Sequence, residues 1–285
     1  VIPAEPPPAL RLGRIGYLNV LPIYYPLETG ILPNAFQTVA GPPARLNRLM
    51  SRGELDLSST SSIEYARNAS RYRLLPNLAI GSQGPVQSVL LLSRRPLRRL
   101  EGRTILVSSQ THTSAALLRL LLKRHLGLRT DFASGEIRTA LASRTPPEAF
   151  LAIGDEALSF RNDPDFPYQL DLGQTWLDWT GLPFIFGVWV ASRDSLAAWP
   201  EAMQAGASLL IEAKRWGTRR LEFFAQHVAA KGILDAGQLA SYFRGLVYDL
   251  GSREREGLSC FFEHLAADGE IDQPPALRFV SSGDP

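Results

Sequence analysis

Two short stretches crowd hydroxyl side chains at places where helices should begin. Ser58, Ser59, Thr60, Ser61 and Ser62 run into IEYARN, and Ser108, Ser109, Thr111, Thr113 and Ser114 run into AALLRLLL. A helix start carries about half a positive charge and several unpaired N–H donors, so it favours carboxylates and phosphates. Ser and Thr add further donors without bulk or charge. One or two hydroxyls suffice to cap a helix; five close together, twice, exceed that need. The chemistry they suit is the grip of an anion, and two such cradles facing each other suit a small dicarboxylate. Neither stretch has the glycine pattern of a phosphate loop or a dinucleotide fingerprint, so nucleotides are disfavoured and no cofactor is expected.

Single polar residues interrupt apolar runs elsewhere. Asn19 in YLNVLP either caps a helix beginning near Pro22 or reaches a ligand hydroxyl or carboxylate. Ser88 in GPVQSVLLL enters a strand, where it is structural or faces a cleft. Asp155 in AIGDEAL follows an apolar strand and either caps a helix or reaches the same cleft. Ser61 and Glu64 have the S-x-x-E spacing of a capping box. In WTGLPFIFGVW the aromatics either wall a ring-shaped ligand or fill cores around a crossing strand, the second being expected for Phe184 and Phe186. The four histidines, His112, His125, His227 and His264, are scattered, and no acid–base dyad is visible. The single Cys260 excludes an internal disulfide or a multi-cysteine metal site, and LSCFFEHL makes it a buried thiol. No metal is implied.

A strand, a polar loop and a helix recur three times: over residues 12–30, 54–70 and 102–127. Pro22 suits a first helical turn, and Gly30 and Gly127 suit helix ends. This alternation predicts an α/β protein with mostly parallel sheets. Two long β runs, VQSVLLLSRRP and PFIFGVWVASRD, read as crossings between two lobes, and residues 195–267 read as helices. The expected division is a first lobe of 1–93 plus 190–285, with the C-terminal helices packed on it, and a second lobe of 94–189. The ligand cleft lies between them. The 285 residues, 45% hydrophobic and 20% charged, suffice for two such units. With 30 basic against 28 acidic residues the net charge is +2, so no nucleic acid or membrane partner is expected. The proline-rich opening does not read as a signal peptide, and a cytoplasmic monomer or homodimer is expected.

Taken in order and spacing, YLNVLPIYYPLE, GELDLSSTSSIEY, IGSQGPVQSVLLLSR, SSQTHTSAALL, AIGDEAL and WTGLPFIFGVW resemble the menaquinone-biosynthesis family of the futalosine route, over roughly residues 12–270. The resemblance implies a two-lobed periplasmic-binding-protein-like (type II) fold used as an enzyme. The implied reaction is loss of water from chorismate to give 3-[(1-carboxyvinyl)oxy]benzoate. The family's Y/F-L-N turn and G-P-V-x-S strand imply catalytic roles for Asn19 and Ser88. Its second-lobe hydroxyls match Ser109, Thr113 and Ser114, and Ser59, Thr60, Thr111 and Asp155 complete the expected substrate contacts. His112 departs from the pattern and receives no role. Side-chain bases being scarce, a substrate carboxylate is expected to take the ring proton, with the protein supplying position and hydrogen bonds. The alternatives are the later enzyme of that route, which releases 1,4-dihydroxy-6-naphthoate and relies on a histidine base, and a solute-binding receptor for a small dicarboxylate.

Overall fold

The computed structural model describes residues 9–108 and 111–280. In chain order its strands are β1 (Leu10–Arg14), β2 (Phe36–Ala40), β3 (Leu57–Ser61), β4 (Tyr72–Ser82), β5 (Val89–Ser93), β6 (Thr104–Val107), β7 (Asp131–Ser134), β8 (Ala149–Ile153), β9 (Tyr168–Asp171), β10 (Phe184–Ser192) and β11 (Leu246–Val247). Six form one sheet in the order β11-β4-β10-β3-β1-β2, and five form another in the order β7-β6-β8-β5-β9.

The sheets are mixed where the alternation of strands and helices predicts mostly parallel ones. Pairings β1–β2, β1–β3, β6–β7 and β6–β8 are parallel. Both long apolar runs run antiparallel to their neighbours: β10 between β3 and β4, and β5 between β8 and β9. An apolar run buried on two faces carries no mark of its direction, which is why the sequence pattern does not reveal it. Sheet membership also moves the crossings. The chain passes to the second sheet between Ser82 and Val89 and returns between Asp171 and Phe184, so β5 belongs to the second sheet and β10 to the first. The expected crossings lie at 93/94 and 189/190.

Period-two alternation divides β5 between two cores. Val89 and Leu91 join the main core, whereas Leu90 and Leu92 pack with Leu106, Phe150 and Phe166 on the other side. The hydroxyl stretch before residue 63 is itself a strand, β3, paired to β1 and β10. Gly13 makes that possible, since a Cβ there would lie 2.3 Å from Ser58 Oγ. The region after β10 is helical as expected, including helices Pro200–Thr218, Ala236–Gly245 and Ser252–Ala267. Cys260 lies on the last of these, half-buried rather than fully so, and burial pushes its thiol up. Among the described residues no helix is long and apolar enough to cross a membrane.

Candidate active site

Both hydroxyl stretches open into one cavity, which holds about 770 Å³ of empty space, part of it continuous with solvent. Its wall takes Asn19, Ser59, Thr60 and Ser61 from one side, and Ser88, Thr111, Thr113 and Ser114 from the other. Tyr17, Phe186, Trp189, Ile80 and Val86 supply apolar surface, as small-molecule sites commonly do. Among the described lining residues there is no Lys, Arg, Asp or Glu. Ser109, the remaining expected contact in the second stretch, lies outside the described residues.

The hydroxyls differ in what they do. Tyr24 Oη donates to Gly13 O at 2.9 Å, accepts from Trp189 Nε1 at 3.2 Å and lies 3.4 Å from Ser59 Oγ. Thr60 donates to Asn47 Oδ1 at 2.8 Å, and Thr111 to Ser108 O at 2.6 Å. Two hydroxyls turn out to be framework rather than cavity wall: Ser58 donates to Ser59 O and Ser62 to Ile185 O. Two polar atoms of the wall, Asn19 Oδ1 and Ser61 Oγ, are buried with no partner among the described residues. An unpaired buried acceptor costs on the order of 1–3 kcal/mol, so both are poised for a ligand.

The expected capping box of Ser61 and Glu64 does not form. The Ser61 side chain makes no cap to helix Ser62–Asn68, and Glu64 instead accepts from Asn68 Nδ2 at 2.9 Å. The helix is capped from the opposite side of the cavity, where Thr113 Oγ1 accepts from Ile63 N at 3.0 Å. Thr113 heads helix His112–Leu120, so the two helix starts meet directly through this hydroxyl. No described residue accepts its own proton, which a ligand can take.

Asn19 does not cap helix Leu21–Glu28, whose N-cap residue is Val20. It sits in a 3₁₀ turn, Leu18–Val20, that Asp155 holds from across the cavity: Leu18 N donates to Asp155 Oδ1 at 3.1 Å. Asp155 therefore neither caps its own helix, Gly154–Phe160, nor lines the cavity wall, and the expected substrate contact becomes a brace for the Asn19 turn. Neighbouring Gly154 has φ +58, and a Cβ there would lie 2.8 Å from the Tyr17 ring, so only glycine lets the two segments close together. Burial and the carboxylates of Asp155 and Glu156 push the Tyr17 phenol up to about 12, so it stays neutral and can only donate or accept.

Burial pushes the Asp155 carboxyl upward, opposed by the Leu18 amide and the charge of Lys231. A carboxyl raised in the folded state binds its proton more tightly there than in the unfolded chain. Its stabilising contribution is complete below the unfolded value of about 3.9 and fades as pH rises through the raised one. Asp155→Asn keeps an acceptor for Leu18 N and removes the charge. Thermal unfolding across mildly acidic to neutral pH should then fall less steeply in the variant than in the parent; parallel curves would show that the Asp155 charge carries no such penalty.

Of the aromatic candidates, Phe186 and Trp189 line the cavity, whereas Phe184 is fully buried against Trp176 and Phe261. A register shift in β10 between Ile185 and Gly187 breaks strict alternation and turns both Phe186 and Gly187 to the wall. Trp179 stacks on His264 and His125 instead, away from the wall, which also accounts for two of the histidines. His227 packs against Tyr25 and Phe223, and His112 is the one histidine among the described lining residues. No group of three or more His, Cys, Asp or Glu among the described residues could hold a metal ion.

Sequence reasoning missed two supports. Asp171, at the end of β9, accepts from Val86 N, Gln87 N, Gly173 N and Gln174 N at 2.7–3.1 Å, and so ties the segment before Ser88 to the start of helix Leu172–Thr180. An Asp directly before a helix is a recognisable cap, but its second pair of donors comes from 84 or more residues away. The other is Tyr242, which donates to Ser88 Oγ.

A Candida albicans gene product described as exhibiting the generic periplasmic binding protein structural fold superposes with a TM-score of 0.68 at 12% identity, covering 94% of this chain and 92% of that one. The chain is 31% identical over 270 residues to the chorismate dehydratase of Thermus thermophilus, covering 89% of this chain and 94% of the relative. It is 26% identical over 282 residues to the 1,4-dihydroxy-6-naphtoate synthase of the same organism, covering 95% and 99%. A family model described as menaquinone biosynthesis matches residues 10–267, which span both sheets and the whole described wall of the cavity. The periplasmic-binding-protein fold and the sequence matches together make this chain a member of the menaquinone-biosynthesis family.

Proposed function

We propose that this chain removes water from chorismate to give 3-[(1-carboxyvinyl)oxy]benzoate. The observation that carries the reading is the cavity wall: two helix starts and a ring of hydroxyls converge, with no charged side chain among the described lining residues. Chorismate offers two carboxylates and one ring hydroxyl to that wall. The higher identity to the chorismate dehydratase relative, 31% against 26% for the synthase, favours dehydration over the later reaction.

In the elimination a ring C–H proton and the ring hydroxyl leave together as one water. The electron pair of the C–H bond becomes the double bond that completes the aromatic ring. Neutral donors suit this chemistry. An Arg or Lys beside a substrate carboxylate would favour its charged form and weaken it as a base, whereas hydroxyls and amides hold it with less loss of basicity. A substrate carboxylate then takes the proton, and the site supplies position and a hydrogen-bonding wall for the departing hydroxide. Asn19 Oδ1, unpaired among the described residues, accepts from the ring hydroxyl and orients it, the Asn19 NH₂ donates to the departing oxygen, and Ser88 donates to that oxygen or a carboxylate. Ser59, Thr113 and Ser114 donate to the carboxylates, while Thr60 and Thr111, whose protons go to Asn47 Oδ1 and Ser108 O, shape the wall beside them. The two sheets act as two lobes that close on the substrate and exclude water.

Incubating the pure protein with chorismate and following the product by ultraviolet absorbance and mass spectrometry tests this. The expected product is aromatic and lighter by one water. Tight binding without conversion would replace the reading with a receptor, and turnover confined to a cyclic futalosine derivative would replace it with the later enzyme.

A further inference from the structure

Behind the cavity wall, Ser88 meets a second hydroxyl that comes from the far end of the chain. Tyr242 Oη lies 3.2 Å from Ser88 Oγ, and both residues are only 1% exposed. Tyr242 is not among the described lining residues of the cavity, so it reaches the site only through Ser88. A phenol has one proton to give, and Ser88 Oγ is the one acceptor for it among the described residues. Once Ser88 accepts from Tyr242, its own proton must go elsewhere. The available protein acceptor is Val86 O at 3.4 Å, near the limit of a hydrogen bond, and the cavity is the other direction.

The support is rigid. Tyr242 projects from helix Ala236–Gly245, which starts with a complete capping box: Gln238 N donates to Asp235 Oδ1 at 2.8 Å, and Asp235 N to Gln238 Oε1 at 3.1 Å. The helix ends against the segment that carries Ser88, where a Cβ on Gly245 would lie 3.3 Å from Gln87 Nε2. Ser88 O in turn accepts from Gly154 N at 2.7 Å, so its backbone is fixed as well. Burial pushes the Tyr242 phenol well above its usual value, which keeps the proton in place to be donated.

We propose that Tyr242 is a positioning residue for Ser88, donating its phenolic proton to Ser88 Oγ so that Ser88 presents its own hydroxyl proton to the ligand. The inference rests on the dehydratase reading for its readout. A hydroxyl that accepts one hydrogen bond becomes a better donor of the next, so the phenol both aims and strengthens the Ser88 donor. It also explains why a buried tyrosine hydroxyl is spent on a serine at the cavity wall.

The test is a four-protein cycle of the parent, Tyr242→Phe, Ser88→Ala and the double variant, with chorismate as substrate. Tyr242→Phe keeps the ring and is expected to lower kcat about tenfold, the worth of one hydrogen bond, with KM within about twofold. In the Ser88→Ala background the same change is expected to have no further effect, because the residue acts through the missing hydroxyl. An equal loss in both backgrounds would reduce Tyr242 to a packing residue, and an unchanged rate in Tyr242→Phe would remove it from the site. If the parent binds chorismate without converting it, the dehydratase reading falls. The same cycle measured as dissociation constants by calorimetry then decides whether Tyr242 acts through Ser88.

Discussion

Asn19→Ala should abolish most turnover of chorismate while leaving the protein at least as stable as the parent. The kinetic half follows from what the side chain offers. The Asn19 amide NH₂ can donate to the departing oxygen, and a preorganised donor to developing negative charge is worth roughly 10²–10³ in kcat when removed. The stability half follows from Asn19 Oδ1 being buried without a partner among the described residues, a penalty that alanine relieves. Surrounding structure should not depend on the amide, because the turn that carries it is held by its backbone, through Leu18 N and the Asp155 carboxylate. The two measurements are kcat from initial rates and the midpoint of thermal unfolding. A variant with near-parental kcat would remove Asn19 from the reaction. A variant with a large drop in midpoint would mean that the side chain serves the fold. Ser61→Ala makes the useful comparison, since Ser61 Oγ is also buried and unpaired in the same wall. It should share the gain in stability and lose less activity.

That contrast bears on what the sequence could reveal. Hydroxyls packed before two helices are legible because Ser and Thr rarely cluster beyond what capping needs, and the cavity does bring both clusters together. The roles of single hydroxyls were not legible, because they depend on partners distant in the chain. Ser61 with Glu64 has the spacing of a capping box, yet Thr113, 50 residues beyond Ile63, supplies the cap. Asp155 looked like a local helix cap or a ligand contact, and instead braces a turn 137 residues earlier in the chain. Strand directions were hidden for a related reason. The residues of β5 are apolar on both faces and pack into two different cores, so their periodicity reports burial and not orientation. Phe186 reaches the wall through a register shift that alternation alone would not place. Tyr242 gave no signal at all, since a tyrosine in an amphipathic helix reads as core until the helix is seen to end beside Ser88.

Asp171→Ala is expected to be the most destabilising single change near the site. Its two carboxylate oxygens serve four backbone amides: Oδ1 accepts from Val86, Gly173 and Gln174, and Oδ2 from Gln87. Gly173 and Gln174 open helix Leu172–Thr180, and losing that cap alone costs about 1 kcal/mol. Val86 and Gln87 precede Ser88 in a segment whose backbone is unusual, with φ +123 at Gly84 and φ +62 at Gln87. A non-glycine residue in the left-handed region is held there by its surroundings, at a cost on the order of 1–3 kcal/mol. Without the carboxylate two more half-buried amides lose their acceptor, at about 1–3 kcal/mol each. The sum, roughly 3–7 kcal/mol, should lower the unfolding midpoint by on the order of 10 °C in a chain of this size. Activity should fall as well, because Gln87 is then free to leave its strained conformation and Ser88 moves with it. Asp171→Asn separates the two effects. Its single oxygen can still accept from Val86, Gly173 and Gln174, while its NH₂ group faces Gln87 N, donor against donor. The helix start should survive and the segment before Ser88 should not, so the variant is expected to lose more of its kcat than of its stability. Burial pushes the Asp171 carboxyl upward against the pull of its four amides, so the parent itself should keep the brace, though weaker, when the group takes up a proton. An Asp171→Ala protein that unfolds within a degree or two of the parent would show that the segment before Ser88 is held by something other than this carboxylate.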